Sequence, residues 1–221
     1  MKFPHFRRKR ALAFIVLAGA LLLLTLNYVL KSEDASGCGR TAETPQCLTS
    51  LFPRVVSSLD SLGLTGYLCY YALWGSLKHE GPLPWTKRVE LCLRNEELSG
   101  VDEGRLFRKF RQNGVLAHYD SANGIYKTAL AGGSDACEAY LHVFEEDKVV
   151  RKVRKVGWKN RLIPPTACHI LHCFPAELIA VPMNAVPFLG TKVAVPHEGI
   201  EVLKYMFPDT WWKEIIPPNC K

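Results

Sequence analysis

Three stretches gather side chains able to do chemistry. Cys168-His169-Ile170-Leu171-His172-Cys173 puts two thiols and two imidazoles within six residues. Those are preferred zinc donors, but no C-x-x-C spacing accompanies them. The more ordinary reading is an apolar helix or strand edge closed by a Cys168–Cys173 disulfide, and no metal is assigned there. Lys148 to Arg161 holds seven basic residues in fourteen, with valines alternating loosely among them. Such a half-exposed hairpin either meets the phosphates of an anionic ligand or simply faces water, the better single reading. The third is an acid inside an apolar run, Val89-Glu90-Leu91-Cys92-Leu93. Its bland reading is an edge-strand carboxylate paired with Arg88 or Lys87.

The surrounding elements follow from periodicity. Leu48, Leu51, Val55, Leu59 and Leu62 recur at helical spacing, interrupted only by Pro53. Tyr67 to Leu73 has strand character and ends at a Trp74-Gly75-Ser76 turn. Val89–Leu93 reads as a buried strand. Asp102 to Gln112 is helical, with Leu106, Phe107 and Phe110 on one side and an acidic first turn. Val115 to Val156 is mostly strand, with turns at residues 121–124 and 132–133. Ile179 to Val195 holds two short strands broken by prolines, and Glu198 to Met206 a short helix. This order predicts a mixed α+β domain.

Charge is distributed unevenly. Residues 1–30 carry Lys2, Arg7, Arg8, Lys9 and Arg10 and no acid, which leaves 23 basic against 21 acidic residues in the rest. The body is nearly neutral, so bulk electrostatics exclude a nucleic-acid binder. Ala11 to Leu30 is uncharged over 20 residues, long enough as a helix to span about 30 Å of hydrocarbon. The basic cluster before it places the N-terminus in the cytoplasm and the body across the membrane. The expected layout is a cytoplasmic tail (1–10), a transmembrane signal-anchor (11–30), a stem (31–47) and a lumenal domain (48–221). A signal peptide cleaved near Ala35-Ser36-Gly37 is the alternative, and it leaves the body in the same compartment. All eight cysteines lie beyond residue 30, as expected of disulfides in an oxidising lumen. Cys38/Cys47 and Cys168/Cys173 are near enough for local loops, though connectivity is not legible.

Two runs carry a family resemblance. The first is Tyr71-Ala72-Leu73-Trp74-Gly75-Ser76-Leu77, Lys78-His79-Glu80-Gly81-Pro82-Leu83-Pro84-Trp85, then Thr86-Lys87-Arg88-Val89-Glu90-Leu91. The second is Val186-Pro187-Phe188-Leu189-Gly190 through Pro196, followed by the segment to Phe207 and Trp211. Together they resemble the LicD/fukutin family over most of residues 48–218. The resemblance implies a nucleotidyltransferase-like mixed sheet with flanking helices. It also implies transfer of phospho-alditol or phosphocholine groups from cytidine-diphosphate donors onto glycans, in the Golgi or endoplasmic reticulum. Gly75, Ser76, Lys78, His79 and Arg88 become donor- and phosphate-binding candidates, because a glycine turn lets backbone N–H groups approach a phosphate. Glu90 and Glu138 become the catalytic candidates.

The family pattern places two aspartates one residue apart on a strand, facing the same way and sharing Mg²⁺ or Mn²⁺. Here those positions are Arg88 and Glu90. A guanidinium about 4 Å from a cation costs on the order of 4 kcal/mol per unit charge at an effective dielectric of 20. Glu90 is the one metal candidate, and Mg²⁺ or Mn²⁺ is expected only if the site is active. Glu138 is the expected third carboxylate, with Glu145, Glu146 and Asp147 nearby. Three functions follow: a divergent transferase using Glu90 and Glu138, a degenerate relative that binds donor, glycan or partner enzyme without turnover, or a lumenal adaptor.

Overall fold

The computed structural model describes residues 41–133, 136–164, 167–214, 216 and 220, together with 17, 19–21 and 23. The expected anchor lies outside the described residues except for residues 17, 19–21 and 23, which are helical. Among the described residues no helix is long and apolar enough to cross a membrane. The chain divides into two compact units, Met1–Gly37 and Cys38–Lys221. Thr44 and Cys47, at the end of the expected stem, are tied to the body: the Thr44 hydroxyl donates to the Ala136 carbonyl at 3.0 Å, and Cys47 is bridged to Cys137.

The body is a mixed α+β fold. Helix α1 (Thr44–Asp60) runs straight through Pro53. Its stripe of Leu48, Leu51, Phe52, Val55 and Leu59 is fully buried, which offsets the hydrogen bond that proline removes. Strand β1 (Tyr67–Leu68) leads into α2 (Tyr70–His79), and β2 (Arg88–Arg94) into the short α3 (Asn95–Leu98). Helix α4 (Glu103–Gln112) opens on Asp102, whose side chain accepts from the Arg105 amide at 2.7 Å. Then follow β3 (Val115–Asp120), β4 (Ile125–Leu130), β5 (Glu138–Asp147), β6 (Lys152–Lys155), α5 (Trp158–Arg161), α6 (Cys168–Leu171) and β7 (Phe174–Pro175). After a 3-10 turn come β8 (Asn184–Phe188), β9 (Thr191–Val195) and α7 (Gly199–Met206).

The sheet order is β3-β4-β5-β2-β1-β9-β8, with β6 and then β7 continuing beside β5. β2 and β5 run parallel in the centre, from Arg88↔Glu138 to Arg94↔Phe144. The β1–β9 pair is also parallel, and the others are antiparallel. Alternation splits β2 into two faces. Val89, Leu91 and Leu93 join the core on the α1 side, where Leu59, Leu91 and Leu93 converge on Gly66. Arg88, Glu90 and Cys92 point the other way, toward α2, which packs against β2 and α7.

Three expectations are corrected. Tyr67–Leu73 is not one strand: β1 stops at Leu68, and a helix carries Tyr70 through His79. The Cys69–Cys92 disulfide pins the end of β1 to β2, and Tyr70 reverses the chain with a left-handed φ of 49°. Gly75-Ser76 is consequently mid-helix rather than a turn. The basic hairpin is shorter than expected, turning at residues 148–151 between β5 and β6, with 158–161 helical. The closing hairpin forms as expected, β8 turning into β9 through Leu189 and Gly190, with Phe188 edge-on to Phe52.

Candidate functional site

The parallel β2–β5 pair brings the three positions of the expected carboxylate site together. Arg88 and Glu138 are register partners, and Glu90 lies two residues further along the same face. Arg88 Nε is 3.9 Å from a Glu138 oxygen, and its guanidinium sits 4.0 Å above the centre of the Tyr140 ring. Lys127 Nζ approaches the same ring at 5.6 Å while pairing with Asp120 at 3.1 Å. Arg88 is thus held by an anion and an aromatic face.

Glu90 is buried, and its carboxylate accepts from the Ala72 amide at 3.2 Å. That amide is one of the unpaired donors in the first turn of α2. Burial raises the Glu90 pKa to about 7, against the opposing pull of Arg88 and the Ala72 amide. The acid is spent on a helix end and is only partly ionised near neutrality. These groups do not fit a shared divalent cation. One expected ligand is a guanidinium, and among the described residues no three His, Cys, Asp or Glu side chains gather as a metal set.

The remaining donor-binding candidates lie on α2, and their contacts are with other residues. Gly75 serves packing: a Cβ there would run into the Gly81 carbonyl and lie 3.0 Å from the Leu83 amide. Ser76 follows it within the helix, half-buried. Lys78 and His79 are exposed in the last turn of α2, about 10 Å along the axis from the Glu90 end. His79 Nε2 meets Glu214 at 2.7 Å, and Trp85, half-buried, stands edge-on to His79. Glu145, Glu146 and Asp147 lie at the far end of β5, where Glu145 pairs with Arg154 at 3.0 Å.

Sequence reasoning did not single out Tyr70 or His142, nor their meeting with His172 and Lys155. Tyr70, in its left-handed conformation, stacks on His142 with ring centres 4.6 Å apart. Its hydroxyl is 2.8 Å from His172 Nδ1, and Lys155 Nζ lies 5.7 Å over its ring. A non-glycine residue held there stores roughly 1–3 kcal/mol of strain, a feature that clusters at functional sites. Burial pushes the His142 pKa well below the usual imidazole range, helped by Lys155, His172 and Arg88. Burial and Lys155 bring His172 down to about 4. Both rings are neutral at physiological pH. The signal for His142 was present: Glu138, Tyr140 and His142 are polar at alternate positions among Ala139, Leu141 and Val143.

Cys168 and Cys173 are not disulfide-bonded, contrary to the expected bridge, and the Cys173 sulfur hydrogen-bonds to Cys168. Burial first, then that contact, raises the Cys173 thiol to about 12, so it is not a nucleophile at neutral pH. The bridges present are Cys47–Cys137 and Cys69–Cys92, and Cys220 is disulfide-bonded as well. Comparison with models of known protein families finds no match, and comparison with curated proteins finds no significant relative.

Proposed function

We propose that the chain is a degenerate relative of LicD/fukutin-type transferases. It binds an anionic, nucleotide-activated donor or phosphorylated glycan without metal-dependent turnover. In this reading it is a type II membrane protein, its body in the lumen of the Golgi or endoplasmic reticulum. One observation carries the proposal: Arg88 stands in register with Glu138 and beside buried Glu90, where the resemblance calls for a metal-binding carboxylate. A fixed guanidinium replaces a captured cation. Its planar fork suits phosphate oxygens, and its stacking on Tyr140 pre-orients it. The disulfides support the compartment.

A second reading is favoured by the Glu90 pKa of about 7, which suits an acid–base group. There the chain is an active transferase using Glu90 and Glu138. Calorimetric titration of the full chain in detergent with cytidine diphosphate, with Mn²⁺ or with EDTA, separates the two. The binding reading expects equal affinity in both buffers and loss in Arg88→Ala. It also expects Arg88→Asp with Glu90→Asp to gain Mn²⁺ affinity over wild type. Tight Mn²⁺ binding by the wild type that disappears in Glu90→Gln establishes the transferase instead.

A further inference from the structure

Two buried polar atoms on the Glu90 face of the β2–β5 pair have no hydrogen-bond partner: Arg88 Nε and His142 Nδ1. The His142 case is the more telling, because that residue is only 8% exposed. An orphaned buried ring nitrogen costs its desolvation unless something fills the place. Every charged or titratable neighbour that shifts His142 electrostatically is basic: Lys155, His172 and Arg88. The carboxylates of Glu138 and Glu90 lie further along the same face, the first of them beside Arg88. Lys155 reaches over the Tyr70 ring from β6, and Tyr70 stands between His142 and His172. The Tyr70–His172 hydrogen bond fixes that wall, since both residues sit in left-handed backbone conformations that allow few alternatives.

We propose that His142 and Lys155, positioned by the Tyr70–His172 pair, form an oxyanion subsite that receives a phosphoryl group of the ligand engaged by Arg88. The inference rests on the anion-binding reading above and goes beyond it, adding a second contact point. Neutral His142 donates from Nδ1 to a phosphoryl oxygen, and Lys155 supplies the charge. Arg88 and Lys155 approach from opposite sides of His142, so the ligand is a diphosphate or a phosphodiester with a flanking anion rather than a single carboxylate. Neither residue belongs to the pattern of the resemblance, and the basic segment 148–161 contributes through this one lysine. Within that segment Arg151 pairs with Glu177 at 3.0 Å and Arg154 with Glu145 at 3.0 Å.

The test uses the full chain in detergent with inorganic pyrophosphate, cytidine diphosphate and uncharged cytidine as probes, in EDTA. Pyrophosphate and cytidine diphosphate should bind and cytidine should not. Lys155→Met and His142→Phe should each weaken pyrophosphate by about tenfold or more, as losing a charge-assisted contact does. Lys148→Met, in the exposed hairpin turn, should change nothing. A measurement on the wild type does not depend on the variants folding. Pyrophosphate should protect Lys155, and not Lys148, from acetylation as read by mass spectrometry. If Arg88→Ala abolishes binding while Lys155→Met and His142→Phe retain it, or if Lys155 is unprotected, the subsite is wrong and the anion-binding reading stands. If the wild type binds neither phosphate probe, both fall.

Discussion

Glu90 does two things at once. Its carboxylate closes the open end of α2, and it remains an acid in a place that water does not reach. An unfolded glutamate titrates near 4.3, and Glu90 in the fold near 7. Between those values the folded chain binds more protons than the unfolded one, so stability falls as pH rises through that window. The loss is on the order of 3 kcal/mol once pH passes 8. His172 works in the opposite direction: neutral in the fold and basic when unfolded, it contributes stability above about pH 6.5 that disappears as pH falls toward 4. Glu90→Gln keeps a carbonyl for the Ala72 amide and removes the ionisable group. Denaturant unfolding should show this variant near wild type at pH 4.5 and more stable than it at pH 8. Equal stability differences at the two pH values would refute the linkage. The acid itself was legible, since a lone glutamate in an apolar strand stands out. Its partner was not, because the Ala72 amide becomes available only once residues 70–79 turn into a helix.

At the scale of elements, the instructive case is that helix. Tyr67 to Leu73 reads as strand because aromatic and apolar residues fill every position and no period shows. Tertiary bonds decide otherwise: the Cys69–Cys92 bridge stops the strand, and the Glu90 carboxylate accepts from the new helix's first turn. Helices α1 and α4 were legible because burial on one face leaves its period in sequence, and β2 because an apolar run buried on both faces reads as a strand. The Arg88–Glu138 juxtaposition was reachable only through the family pattern, since a parallel pairing over a 43-residue crossover leaves no local trace. Gly75 gives the element-scale prediction. Gly75→Ala has no room beside Gly81 and Leu83, and should destabilise the body by roughly 1–3 kcal/mol. Cytidine diphosphate affinity measured well below the lowered melting point should remain at the wild-type value. Lost affinity in a variant of normal stability would return Gly75 to the phosphate-binding role that its motif implies.

The whole molecule has an uneven charge distribution, five cations before an uncharged stretch and a near-neutral remainder. The topology proposed from it makes a direct demand. In sealed microsomes added protease should trim at most the first residues and leave the body intact until detergent opens the membrane. Digestion of the body from the cytosolic side, with the N-terminus protected, would reverse the orientation. The disulfides give the body a covalent frame suited to an oxidising space, one of them joining residues 90 apart in sequence.

That long bridge changes what a proteolytic cut can do. Cys47 stands near the start of the first helix, and Cys137 immediately precedes the central strand β5. Any single nick between them, including one in the exposed segment at residues 99–103, leaves two fragments that stay joined. The loop becomes two tethered arms, and both sides of the β2–β5 pair remain on one covalent object. The body can thus be clipped in its crossover and keep Arg88 beside Glu138, with the damage visible only after reduction.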